Sequence, residues 1–230
     1  VIFQQLFDED SCTYTYLLAD TGSRQAVLID PVLEHVDEYQ AQLKDLGLSL
    51  EYVLDTHVHA DHITGAGMLR QKTGCHTGVS VHANVDCADM LLRNGAEIRI
   101  GEIIIIRVLE TPGHTPSCLS YVCRNMVFTG DALLIGKCGR TDLQGGDAGR
   151  LYDSITGKLF LLPDETIVYP AHDYDGHVRS TIGEEKRNNS RLQLNRDAFI
   201  RLMSELDLPE PKRIREAVPA NRACGEHHVA

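Results

Sequence analysis

The chain has 230 residues and a formal net charge of -11, with 43% hydrophobic and 24% charged residues. That balance suits a globular protein of one large domain or two small ones, and excludes a disordered tail, a coiled coil and a collagen-like fibre. No apolar run reaches the roughly 20 residues of a membrane span, and 33 acids against 22 bases argue against broad phosphate-backbone binding, so neither membrane nor nucleic acid is an expected partner.

Three β-rich runs open the chain, at 2–7, 12–18 and 26–29, separated by turns such as Thr21-Gly22-Ser23. Val36, Tyr39, Leu43 and Leu46 recur at helical spacing, and Gly47 stands where that helix ends. Leu50 to Thr56 reads as a strand that stops in a cluster of His and Asp. Asp61 is placed to cap a helix through Met68 and Leu69. Val85, Ala88, Leu91 and Leu92 predict a helix over 84–93, ended by Asn94-Gly95. Strands follow at 103–109, 118–123 and 126–129, then a glycine-rich loop from Gly136 to Gly149. Leu151, Ile155, Leu159 and Leu162 predict a helix, and Ile167-Val168-Tyr169 a strand. Beyond Asp173 the chain turns helical and polar, with Phe199, Leu202, Met203 and Leu206 on one face. No Pro-, Gly- or Ser-rich linker divides it, and no repeat is present. The expectation is one α/β layered sandwich over 1–230, with a short helical C-terminal part from about 175.

The seven cysteines (Cys12, Cys75, Cys87, Cys118, Cys123, Cys138 and Cys224) are odd in number and include no C-x-x-C pair. Reduced thiols are therefore expected. Cys118 and Cys138 lie near polar motifs and read as buried thiols, with a redox switch or a sulfur relay as the alternative. Cys224 and the His227-His228 pair sit in a polar tail and are expected to be exposed. Val1 to Gln4 shows no signal peptide, and the missing initiator Met leaves a removed targeting segment open.

Thr56-His57-Val58-His59-Ala60-Asp61-His62 is the strongest signal. Three histidines and an aspartate crowd the end of a strand, where sites are usually built. Neutral imidazole and carboxylate are the standard ligands of zinc and iron. Three other places repeat the device: Pro112-Gly113-His114-Thr115, Thr129-Gly130-Asp131 and Pro170-Ala171-His172-Asp173. Each puts a polar residue after an apolar run at a Gly or Pro break. Singly, Asp131 reads as a helix cap and His172 as a loop histidine. Together, four strand ends converging on one edge would make a metal site.

In this order the motifs resemble the metallo-β-lactamase fold, which implies a four-layer αββα sandwich with a metal at one edge. The fold hosts several chemistries. Two thiol-linked families fit this length: hydroxyacylglutathione hydrolases (glyoxalase II) and persulfide dioxygenases. Cys138-Gly139-Arg140-Thr141-Asp142-Leu143-Gln144, Tyr169 to Tyr174, Ser180 to Arg187 and Ala217-Val218-Pro219-Ala220-Asn221 are similar to the persulfide dioxygenases.

That resemblance implies one Fe(II) per chain on His57, His114 and Asp131, a two-histidine, one-carboxylate facial triad. His59, Asp61, His62 and His172 would touch and orient those ligands. The implied reaction oxidises glutathione persulfide with O2 to sulfite and glutathione. Arg140 and Arg191 would hold the glutathione carboxylates, unless they are surface arginines in ion pairs. Tyr174 would stand by the open metal positions, unless it is a buried packing residue. The implied setting is bacterial cytoplasm or mitochondrial matrix, with a possible homodimer. A dinuclear thioester hydrolase, with Asp131 bridging and Asp61, His62 and His172 on metal two, is the first rival. A non-catalytic sulfur-binding module is the second.

Overall fold

The consecutive apolar residues of the first half form strands buried on both faces. In this computed structural model, which describes residues 1–225, β1 (Ile2–Asp8), β2 (Thr13–Ala19), β3 (Gln25–Ile29), β4 (Ser49–Leu54), β5 (His76–Ser80) and β6 (Met90–Leu92) form one sheet in that order. The alternation along β2 shows why its sequence is apolar throughout. Tyr14, Tyr16 and Leu18 enter the core between the sheets, while Leu17 and Ala19 meet an outer helical layer. That layer is α1 (Val36–Asp45) and α2 (Ala66–Thr73), through Val36, Tyr39, Leu43, Ala66 and Leu69.

The second sheet is β7 (Glu97–Ile100), β8 (Ile104–Glu110), β9 (Leu119–Cys123), β10 (Met126–Gly130), β11 (Ile167–Pro170) and β12 (Ser180–Thr181), again neighbours in sequence order. Met126 and Phe128 of β10 face the first sheet, and Val127 faces outward. The outer layer is α3 (Ala148–Gly157), α4 (Ile182–Asn188) and α5 (Arg196–Ser204), packed through Leu151, Ile155, Ile182, Phe199 and Met203. This is the αββα sandwich. A further helix, α6 (Ile214–Arg222), sets Ala217 and Ala220 against Ile63.

Strand direction decides where the loops meet. β3 and β4 are parallel, as are β10 and β11, and β8 runs with β10 because both are antiparallel to β9. Within each sheet these strands therefore end on one edge. Asp30, His57, His114, Asp131 and His172 all follow strand ends of this kind.

Four expectations need correction. No helix forms over 84–93. Residues 90–92 pair with Gly78 to Ser80 as an edge strand, leaving Leu91 54% exposed and Leu92 in the inter-sheet core. Over so short a stretch helical spacing and alternation overlap, and pairing with β5 decides. Asp61 caps nothing. Gly65 precedes α2, and Asp61 turns inward. Cys224 is buried and disulfide-bonded to Cys87, because α6 returns the tail onto the 83–88 loop. The expectation of uniformly reduced thiols fails with it, and the other five cysteines are free. His227 and His228 lie outside the described residues.

Phe128 is fully buried among Phe3, Tyr16 and Tyr169, with ring centroids 4.9 to 6.3 Å away. Phe128→Ala should lower unfolding stability by about 3–5 kcal/mol in urea titration. A loss under about 1 kcal/mol would mean that this layer does not carry the fold.

Candidate metal centre

Two sets of side chains meet at the edge. The ligand atoms of His57, His114 and Asp131 lie within 4.8 Å of one another, and those of His59, Asp61, His62 and His172 do likewise. Glycines allow the loops to close on the first set. A Cβ at Gly113 would stand 2.3 Å from the Leu151 Cα, and one at Gly139 would stand 2.1 Å from the Asp131 carbonyl oxygen.

Neighbouring groups fix which nitrogen of each imidazole is free. The Thr56 hydroxyl donates its one proton to Asp30 Oδ2 at 2.8 Å. It must then accept from His57 Nδ1 at 3.0 Å, which leaves the lone pair of His57 on Nε2. His114 Nδ1 donates to the Arg140 carbonyl oxygen at 2.8 Å, and its Nε2 stands 3.6 Å from Asp131 Oδ2. That gap is too long for a hydrogen bond. Burial, then the neighbouring His59, pushes His57 well below the usual histidine range, so it stays neutral, the ligating form. Two imidazole lone pairs and a carboxylate oxygen thus converge, a donor set that fits a transition-metal cation.

The second set is knitted together. His172 donates from Nδ1 to Asp131 Oδ1 at 2.6 Å, and its Nε2 is 2.9 Å from Asp61 Oδ2. Burial opposes charge on His172, but the two carboxylates hold its pKa well above the histidine range. Burial likewise opposes charge on Asp61 and Asp131, and His172 is the first of the neighbours that bring both carboxyls below the usual range. His62 Nδ1 donates to Asp61 Oδ2 at 2.8 Å, and Thr13 Oγ1 lies within 3.3 Å of Asp61, His62 and His172. His59 Nδ1 and His62 Nε2 are buried without a hydrogen-bond partner. Such atoms suit a cation or water.

The three residues expected at the substrate lie around this edge. Arg140 grips Asp142 through Nε and Nη2, both at 2.7 Å, and bonds the carbonyls of Leu208 and Pro209. Its backbone, not its guanidinium, touches His114. Arg191 donates to the Cys138 carbonyl at 3.2 Å. Tyr174 is 62% exposed, not a packing residue, and its ring lies parallel to His172 with centroids 6.1 Å apart. Cys118 and Cys138 are buried, and burial pushes their thiols up to about 12 and about 11.

Sequence reasoning missed Asp30, Thr56 as a bridge, Thr13 and Asn221. Asp30 carried the same signal as the others, a polar residue between an apolar strand and Pro31. Thr13 carried none, and Asn221 was marked only as the end of a stretch similar to the persulfide dioxygenases, with no role attached.

The metallo-beta-lactamase superfamily model matches residues 11–89 and 91–172. Over 228 residues the chain is 47% identical to human "Persulfide dioxygenase ETHE1, mitochondrial", across 98% of this chain and 89% of that one. The mouse protein of the same name is 49% identical over the same shares. The chain belongs to the persulfide dioxygenase family. A crystal structure of ETHE1 from Myxococcus xanthus agrees, with TM-score 0.96 and 54% identity over 98% of this chain and all of that one. The persulfide dioxygenase likeness thus extends past the superfamily match, into α4 to α6.

Thr56→Val removes the hydroxyl that directs His57 while keeping its volume. Metal affinity, measured by equilibrium dialysis, should fall about 10–100-fold. Unchanged affinity would show that Asp30 and Thr56 do not set the His57 tautomer.

Proposed function

We propose that this chain oxidises glutathione persulfide with O2 and water, giving sulfite, glutathione and two protons. The observation that carries the reading is the identity of nearly half the residues with named persulfide dioxygenases across almost the full chain. The converging His57, His114 and Asp131 supply the matching donor set. These three residues are the proposed ligands of one Fe(II) per chain. Iron on such a triad supplies one-electron chemistry with O2 and leaves positions open for a sulfur donor.

The protein's own groups prepare that centre. The Arg140 carbonyl and the Thr56 hydroxyl aim His114 and His57, and His172 holds Asp131 as a carboxylate. His59, Asp61, His62 and His172 are assigned to orienting the ligands. Persulfides are more acidic than thiols, so the substrate arrives with an anionic terminal sulfur. Tyr174, exposed over His172, is assigned to positioning it. Arg140 and Arg191 are assigned to the glutathione carboxylates. Arg140 already holds a carboxylate in two parallel hydrogen bonds, that of Asp142, and would exchange it for the substrate's. The working unit is the 1–230 domain with its short helical end, the proposed assembly a homodimer. The compartment is bacterial cytoplasm or mitochondrial matrix, and the mammalian relatives are named mitochondrial.

The cluster of His59, Asp61, His62 and His172 favours one second reading, a dinuclear thioester hydrolase acting on acylated glutathione. Oxygen uptake separates the two. Iron-loaded protein given glutathione persulfide should consume O2 and release sulfite in equal amounts, and His114→Ala should abolish both. Iron-bearing protein that consumes no O2, carries two metals per chain and hydrolyses acylglutathione would establish the hydrolase instead. Persulfide binding without turnover would point to a sulfur-binding module.

A further inference from the structure

The histidine loop between β4 and α2 has no regular secondary structure, yet it is largely buried. Its backbone N–H and C=O groups therefore need partners inside the protein. Three of them find one in a single side chain from the other end of the chain. Asn221, 5% exposed and on the last turn of α6, donates from Nδ2 to the carbonyls of His59 and His62, both at 2.9 Å. Its Oδ1 accepts from the Thr64 N–H at 2.8 Å. The amide orientation is unambiguous, because the flipped form would face two carbonyl oxygens with a third oxygen.

We propose that Asn221 is a positioning residue for the metal centre. It holds the loop on both sides of Asp61. From there hydrogen bonds run from His62 to Asp61, from His172 to the same Asp61 oxygen, and from His172 to Asp131, at 2.8, 2.9 and 2.6 Å. The His59 ring also packs on the His57 ring, with centroids 4.0 Å apart. One proposed ligand, His57, thus packs directly on a residue whose backbone Asn221 fixes, and a second, Asp131, is linked to it through His62, Asp61 and His172. The anchor is firm. Cys224, three residues on, is bonded to Cys87 and accepts from the Gly67 N–H at 2.9 Å, and Ala217 and Ala220 pack on Ile63. No other side chain of this shape offers two donors and an acceptor. Asp keeps the acceptor for Thr64 but sets a carboxylate against two carbonyls. The inference rests on the metal-holding role proposed for His57, His114 and Asp131, not on the reaction.

Co(II) serves as the probe, because its visible bands report ligand geometry without turnover. The full chain is compared with Asn221→Asp, Asn221→Ser and Cys87→Ser by chelator competition, visible absorption and thermal melting. Both Asn221 variants should bind Co(II) about 10–100-fold more weakly and shift its bands. Asn221→Ser keeps a small hydrogen-bonding group, so a folded variant remains if Asn221→Asp does not fold. Cys87→Ser should lower the melting temperature and leave the bands in place. Wild-type affinity and bands in the Asn221 variants would overturn the inference. So would a Cys87→Ser variant shifted as far as they are, since tail anchoring would then suffice. A wild-type chain that binds no Co(II) would overturn the ligand assignment itself.

Discussion

A buried carboxylate, Asp30, ties the first sheet to the histidine loop, and the site depends on it. It leaves β3 with φ 51, a left-handed backbone that Asp tolerates better than most residues. Its oxygens accept from the Thr56 N–H, the Thr56 hydroxyl and His59 Nε2 at 2.7, 2.8 and 3.0 Å. Three donors on one buried carboxylate compensate its desolvation. They also decide two tautomers, since the proton of His59 is drawn to Nε2 and that of His57 to Nδ1. The parallel pairing of β3 and β4 makes this possible, because it brings Asp30 and Thr56 to the same edge.

The same logic repeats across the site with alternating charge. Asp131 is a buried acid and Asp61 a half-buried one, and they flank His172, so opposite neighbours compensate each other's loss of water. Removing any one member would leave an uncompensated buried charge, which costs more than the pair contributes. The site is thus rigid for an electrostatic reason as well as a packing one. The Tyr16 hydroxyl adds a link between the sheets, donating to the Pro170 carbonyl at 2.6 Å just before the His172 loop.

Much of this was legible in the sequence because strand ends leave a local mark. A crowd of His and Asp after an apolar run located His57, and an apolar run broken by Gly or Pro and followed by His or Asp located His114, Asp131 and His172. The same mark stood at Asp30-Pro31 and was passed over, because no histidine stands beside it. The layered fold was legible too, since strands buried on both faces have to be apolar at successive positions. What could not be read was contact between distant segments. Thr13 and Asn221 act through hydrogen bonds to residues 48 to 162 positions away, and no local pattern reveals those partners. The Cys87–Cys224 pair escaped for the same reason, with 137 residues between its members. The helix expected over 84–93 failed because pairing with β5 outweighs local propensity at a sheet edge.

The two donor sets at the edge differ in how their nitrogens are engaged, and that difference bears on the reaction. In the first set His57 and His114 each spend one nitrogen on a fixed neighbour and keep Nε2 for a cation. The remaining contact, His114 to Asp131 at 3.6 Å, is a gap that a cation would close. In the second set both nitrogens of His172 already face carboxylate oxygens, at 2.6 and 2.9 Å, and Asp61 Oδ2 also serves His62 and Thr13. A cation entering there would have to displace several charge-assisted hydrogen bonds, each roughly twice as strong as a neutral one. The first set needs only to be filled. The second also offers free nitrogens, His59 Nδ1 and His62 Nε2, but would have to give up the bonds that hold His172 and Asp61. That asymmetry is the structural counterpart of the two proposed readings: one metal with open positions for the dioxygenase, a bridged pair for the hydrolase.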